Sequence, residues 1–312
     1  MFSNASARVE RWRLTNHTCL EDILPLLDKE YQENVDGTSV SLFYKWMPYN
    51  SDNKIIEINI NDKNVRYFPV KAQVDYLSVS KAYLSQVPRD VAVRTIPAEF
   101  LFVEIDNTIW VMVSTSKTSF GRVRSKLFKG ADKKVWGELD FKPVKLDKSF
   151  FYWLMSKVKT ELQLGDENYI LIDCDKVTSH SEREQNDFIG QGQGILERAP
   201  IEAMISCHNL FSEIGIKLKN ETEVIVFKID ELLVTEIDTT LSHRTSNNQI
   251  TFYSPIELVL KIYLKIIPKL IQAFNNELDW GIKEEAFRKQ TAVKAIQKML
   301  VEAGISVTDL GA

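Results

Sequence analysis

Ten lysines and arginines but only four acids lie between Lys117 and Lys148, giving this stretch a net charge of +6 between flanks of −3 and −7. The cations are Lys117, Arg122, Arg124, Lys126, Lys129, Lys133, Lys134, Lys142, Lys145 and Lys148, interleaved with Phe120, Phe128, Trp136 and Phe141. Runs of cations suit a phosphate backbone, because each contact releases a condensed counterion. Aromatic faces would add base stacking if the strand is single. Arg122 and Arg124 share a face on a strand; on a helix Arg122 aligns instead with Lys126 and Lys129. Lys117, Arg122, Arg124, Lys126, Lys129, Lys133 and Lys134 are therefore the candidate contacts to DNA or RNA. The competing reading is a solvated face that pairs with an acidic flank or an acidic partner, its aromatics serving as core.

Gly190, Gly192 and Gly194 alternate with Gln191 and Gln193 just before an expected helix, and such loops can aim backbone N–H groups at a phosphate. The pattern departs from G-x-G-x-x-G, the preceding strand is expected to end well upstream, and no G-K-[ST] follows. The bland alternative is a flexible connector. Asp173 and Asp175 close an apolar strand, a place where metal-dependent hydrolases put acids. Asp140-Phe-Lys142 has the D-x-K spacing of a restriction-type nuclease core, in which a carboxylate holds Mg2+ and a lysine positions water. Asp106 is the further acid available to it. Such triplets also arise by chance in a chain that is 26% charged.

His180 and His243 neighbour serines in polar segments, but no G-x-S-x-G elbow is present. Cys207 and His208 are adjacent on an expected helix and would not face each other.

Several elements would position these groups. Thr18 to Glu21 has capping-box spacing and predicts a helix over 19–33. Strands are expected at 40–46 and 55–60, and a helix at 79–86. A hairpin over 99–114 turns at Asp106-Asn107. Within the basic segment a helix over 120–128 and a strand over 135–141 are expected. Ser149 would cap an aromatic helix that runs towards Gly165. The second half predicts a strand at 169–172, a polar loop at 175–188, a helix over 200–213, and strands at 223–229 and 249–253. Ser254-Pro255-Ile256-Glu257 combines a capping serine, proline at the first helical position and glutamate at the third. The helix that follows is apolar on nearly every side and would be core or interface, with a kink at Pro268. A last helix over 282–303 would stop at Gly304.

Strands arrive in runs, which predicts an α+β fold of mainly antiparallel sheet with two or more C-terminal helices. The expected domains are 1–149, with the basic segment, and 150–312. Three cysteines without short spacing argue against disulfides and structural zinc. No stretch reads as a signal peptide or a membrane span, so a cytoplasmic location is expected. No motif is specific enough to name a family. The leading expectation is a non-catalytic nucleic-acid-binding protein within a larger assembly, its C-terminal helices serving a homo-oligomer or partner contact. A Mg2+-dependent nuclease, a nucleotide-processing enzyme and a protein adaptor are the alternatives. No cofactor is expected outside the nuclease reading.

Overall fold

The structure is a computed structural model that describes residues 1–2, 4–28, 30–49, 54–60, 63–128, 136–140, 145–180 and 187–306. The fold is α+β, and every strand pairing named below is antiparallel. The chain divides into two compact units, Met1–Val144 and Lys145–Ala312.

In the first unit, strands β1 (Ser6–Leu14), β2 (Glu30–Asn34), β3 (Ser41–Pro48), β4 (Ile56–Ile60), β5 (Lys63–Leu77), β6 (Val93–Ile105) and β7 (Thr108–Ser114) form a sheet in the order β1-β7-β6-β5-β3-β2. β4 pairs with the start of β5, and the short β8 (Leu139–Asp140) pairs with β1. β5 is 15 residues long and contains Pro69, a residue that normally argues against a central strand. Pro69 is tolerated because it stands where one edge of β5 changes partner. Lys63–Tyr67 pair with β4 and Val70–Val74 with β3, so the missing N–H breaks no ladder bond there. Asp106 and Asn107 both have positive φ, the two-residue turn expected between β6 and β7.

One face of this sheet carries Trp12, Trp46, Phe68, Phe100, Phe102 and Val111. Two short helices follow β5 and β7: α1 (Arg89–Ala92) and α2 (Phe120–Leu127). Helix α2 buries Phe120, Val123 and Leu127 in the same cluster, as spacings of three and four dictate. The helix expected over 19–33 is instead two 3-10 turns, Leu20–Asp22 and Leu24–Leu26, followed by β2. Pro25 interrupts the run early, and the Leu20 N–H is taken by Glu104 Oε2 at 2.9 Å rather than by a capping residue. The helix expected at 79–86 shrinks to the 3-10 turn Lys81–Tyr83. Of the strand expected over 135–141, only Leu139 and Asp140 pair among the described residues.

In the second unit, α3 (Lys148–Ser156) is capped by Asp147, whose side chain accepts from Ser149 N at 2.7 Å; Ser149 is not the cap. It ends well before Gly165, because β9 (Glu161–Leu164) claims the following residues as the hairpin partner of β10 (Glu167–His180). β10 runs through much of the expected 175–188 loop and pairs with β11 (Asp187–Gln191). Helix α4 (Ala199–Ser206) stops early, since β12 (Leu210–Lys219) begins within the expected 200–213 helix. The sheet continues as β10-β12-β13-β14, with β13 (Glu223–Asp230) and β14 (Thr235–Asp238), and β15 (His243–Ser246) pairs β13 and β16 (Gln249–Phe252).

Ser254 caps α5 (Pro255–Lys261) by accepting from Glu257 N at 3.3 Å, as its spacing predicts. A π-helical turn, Ile262–Ile266, separates α5 from α6 (Ile267–Asn276) and precedes Pro268. The wider turn re-routes the carbonyls that the proline nitrogen cannot serve. Leu258, Leu260, Ile262, Tyr263, Ile266 and Leu270 are buried, which makes this segment core. Glu223, also buried, accepts from Tyr169, Tyr253 and Lys261, so its charge is paired and hydrogen-bonded. Helix α7 (Trp280–Ala303) ends on Gly304 in the left-handed conformation.

Candidate functional site

Helix α2 carries three of the described cations of the basic segment, Arg122, Arg124 and Lys126, while Lys145 pairs with Glu231 at 3.2 Å. The inner face of α2 anchors it, which leaves Arg122 outward and exposed, with the guanidinium 4.6 Å from the Tyr76 ring. One turn on, Lys126 lies 5.1 Å from the Tyr44 ring and 2.5 Å from Glu33 Oε2. The Lys126 hydrogen bond, helped by one from Tyr44, holds the Glu33 carboxyl below the usual carboxylate range. Lys126 is 36% and Glu33 51% exposed, so the pair contributes at most about 1 kcal/mol and is screened by salt. Arg94 stands directly across from Tyr76 in the β5–β6 register, on the same face, and is exposed. Lys117 is exposed just before the helix. Arg124 is half-buried and engaged with neighbouring groups. Lys129, Lys133, Lys134 and Lys142 lie outside the described residues.

The described aromatic side chains take the core alternative; Phe141 lies outside the described residues. Phe120, Phe128 and Trp136 are buried, and Trp136 packs 5.5 Å from Trp46 and 4.9 Å from Phe128 between ring centroids. None of the three has a face free for a base. Any nucleic-acid contact in the described part of the segment therefore rests on cations.

Asp106 and Asp140 are not brought together. Asp140 faces Arg13, which faces Trp110, which faces Val103. Asp106 lies three residues beyond Val103 in the turn, where it pairs with Lys63. Strand spacings of about 4.8 Å and rises of about 3.3 Å per residue put the two acids on the order of 15 Å apart, too far to share one ion. Among the described residues no cluster of three His, Cys, Asp or Glu side chains could hold a metal.

The glycine loop is used differently from expectation. Gly190 sits in β11, where an added Cβ would lie 3.1 Å from Ile201 Cδ1 and 3.2 Å from Ile195 Cγ1, so it is small for packing. Gly192 and Gly194 have φ of +129° and +64° in open space, so glycine serves the backbone conformation there. Their N–H groups are already taken: Gly192 donates to Asp175 O at 2.8 Å and Gly194 to Asp173 Oδ2 at 3.1 Å. The loop nevertheless borders a cavity of about 960 Å³ that also contains Asp173, Asp175, Arg198 and Lys217. Two motifs far apart in the reading of the chain thus meet in one place.

Sequence reasoning missed Lys217 and Gly215. The signal for Gly215 was its position inside the alternating strand Ile-Gly-Ile-Lys-Leu, where glycine marks a bulge or a close approach. Of the histidine and serine candidates, Ser181 and the His180 side chain lie outside the described residues. Ser242 is buried, accepting from Val226 N at 2.9 Å, and His243 Nδ1 lies 3.0 Å from Leu241 O. No helix among the described residues is long and apolar enough to cross a membrane. No protein-family model matches the chain, and no curated protein matches it.

Proposed function

We propose that the protein is a nucleic-acid-binding interaction protein that grips phosphates through the exposed cations around α2. The observation that supports this reading is Arg122 and Lys126, held one turn apart on a helix whose other face is locked into the sheet, with Arg94 across from the Tyr76 on which Arg122 stacks and Lys117 exposed just before the helix. Preorganised cations contact phosphates without ordering a flexible tail. Because the neighbouring aromatics are buried, recognition is by charge and shape rather than by base stacking. The exposed Ile282, Val293 and Ile296 of α7 are where the same proposal puts contact with further subunits.

Four phosphate contacts predict a slope of roughly −3 to −4 in log affinity against log salt on duplex DNA. Fluorescence anisotropy with a labelled duplex and a labelled single strand, at low and moderate salt, measures it. Reversing Arg122 and Lys126 together to glutamate is expected to weaken binding at least tenfold, taking about 1 kcal/mol or more per contact. A second variant, Lys117→Glu with Arg122→Glu, leaves the Lys126–Glu33 pair intact and controls for folding. No binding at low salt, or equal affinity for both variants and the parent, refutes the proposal. Retention of an acidic protein on the same surface would favour the adaptor reading instead.

A further inference from the structure

The cavity in the second unit is built by irregularities that ordinary strand packing would not need. β10 departs from regular register on both sides of Asp173, so it carries one extra residue on each side relative to β12. Bulges of this kind re-aim side chains and recur beside binding sites. Here they turn Asp173 and Asp175 towards the cavity while Cys174 points into the core, its thiol pushed up mainly by burial. Two rows of side chains then cross the sheet. Asp173, Lys217 and Val226 face one another in the first row, and all three line the cavity. Gly215 faces Lys228 in the second, and the Asp175 carboxylate folds over the place where any side chain at 215 would begin.

Charge inside the cavity is unevenly spent. Lys159 is neutralised by Glu197 at 2.5 Å, and Lys228 is 3.1 Å from Glu236. Lys217 and Arg198 have no carboxylate partner among the described residues. Asp175 Oδ1 is buried against Gly215 and has no hydrogen-bond donor, which costs about 1–3 kcal/mol, so the carboxylate meets the cavity through the rest of its surface. Apolar surface from Ile172, Leu196, Val226 and Leu241 completes the wall.

We propose that this cavity is a nucleoside-phosphate site, in which Lys217 and Arg198 hold the phosphate and Asp175 accepts hydrogen bonds from N–H or O–H groups of the base or ribose. One ligand class combines an anionic end, a flat ring for the apolar wall and donors for a carboxylate. A free sugar lacks the anion. A single amino acid is too small for about 960 Å³, a volume at the upper end for small-molecule sites. The phosphate is held by side chains, since the Gly192 and Gly194 N–H groups already serve Asp175 and Asp173. Burial raises the Asp175 carboxyl above its usual range, and a donor from the ligand would favour its charged form.

Isothermal titration of the full chain with AMP, GMP, CMP, UMP and inorganic phosphate tests this. At least one nucleotide is expected to bind one-to-one with Kd below about 100 μM, and inorganic phosphate far more weakly. Asp175→Asn, which keeps one acceptor but loses the charge, should weaken the nucleotide several-fold with the fold intact, the loss of charge assistance on that hydrogen bond. Lys217→Met, at a half-exposed position, should weaken nucleotide and phosphate alike. The Arg122/Lys126 reversal should change neither, which separates this site from the one around α2. No saturable nucleotide binding, binding untouched by both cavity variants, or phosphate binding as tightly as every nucleotide overturns the assignment.

Discussion

Replacing Glu277 with glutamine removes the charge that ties α3 to the turn between α6 and α7. Glu277 accepts from Trp153 Nε1 at 2.7 Å, from Lys157 at 2.8 Å and from Lys283 at 2.8 Å. Burial acts to raise its pKa, but hydrogen bonds from Lys157, Lys283 and Trp153 outweigh it and hold the carboxyl at about 2, against a usual 4.5. A difference of about 2.5 is worth about 3.4 kcal/mol at 1.36 kcal/mol per pH unit. Lys283 is half exposed, so screening trims this to about 2–3 kcal/mol. Because the folded pKa lies below the unfolded one, the stabilisation is complete above pH 4.5 and is lost as the pH falls towards 2. Glutamine imitates the protonated acid and keeps an acceptor for the indole. Urea unfolding followed by tryptophan fluorescence at pH 7 should therefore show E277Q shifted down by about 1 M, given a slope of 1–3 kcal/mol/M. Repeating the comparison at pH 5, 4 and 3 should show the gap closing. Equal midpoints at pH 7, or a gap that stays constant down to pH 3, refutes the reasoning.

Asp175 carries the opposite sign. Burial raises its carboxyl, Lys228 opposes this, and Asp173 and Asp238 add to it. Its favourable contribution is thus present below pH 3.8 and lost as the pH rises through the higher folded value. Asp175→Asn should be more stable than the parent at pH 7, by about 1–3 kcal/mol, with the two melting curves converging near pH 4. A lower Tm at pH 7 contradicts this. Trp136→Phe should leave nucleic-acid affinity within about twofold in the anisotropy assay, since a stacked base is worth about 1–3 kcal/mol and Trp136 is buried. A tenfold loss from a folded variant would mean that the ring reaches a base after all.

Local signals were the legible part of the fold. Ser254 with Pro255 and Glu257, the Asp106-Asn107 turn, the helix over 120–127 and the stop at Gly304 depend on neighbours within four residues, and each is found where the sequence puts it. The failures are non-local. β5 reads poorly because of Pro69, whose harmlessness depends on two other strands. The 19–33 helix loses to strand pairing with β3 and to the Glu104 carboxylate on β6. β12 was hidden behind an apolar stretch that also suits a helix. At the candidate sites, the cations of α2 were evident from composition, but the burial of Phe120 and Phe128 required the sheet beneath them. Asp173, Asp175 and the glycine loop were each visible, whereas their meeting depends on bulges that no periodicity announces.

Gly215 and Asp175 also constrain how this chain can drift. A side chain at 215 would start where the Asp175 carboxylate now sits, with the Lys176 backbone nitrogen 3.3 Å away. Neither position can change freely while the other stays as it is. In descendants of this sequence the two should move as a couple: glycine kept wherever the acid is kept, and larger residues admitted at 215 only after 175 has become small. Such paired change would trace the cavity through lineages whose overall sequences no longer resemble this one.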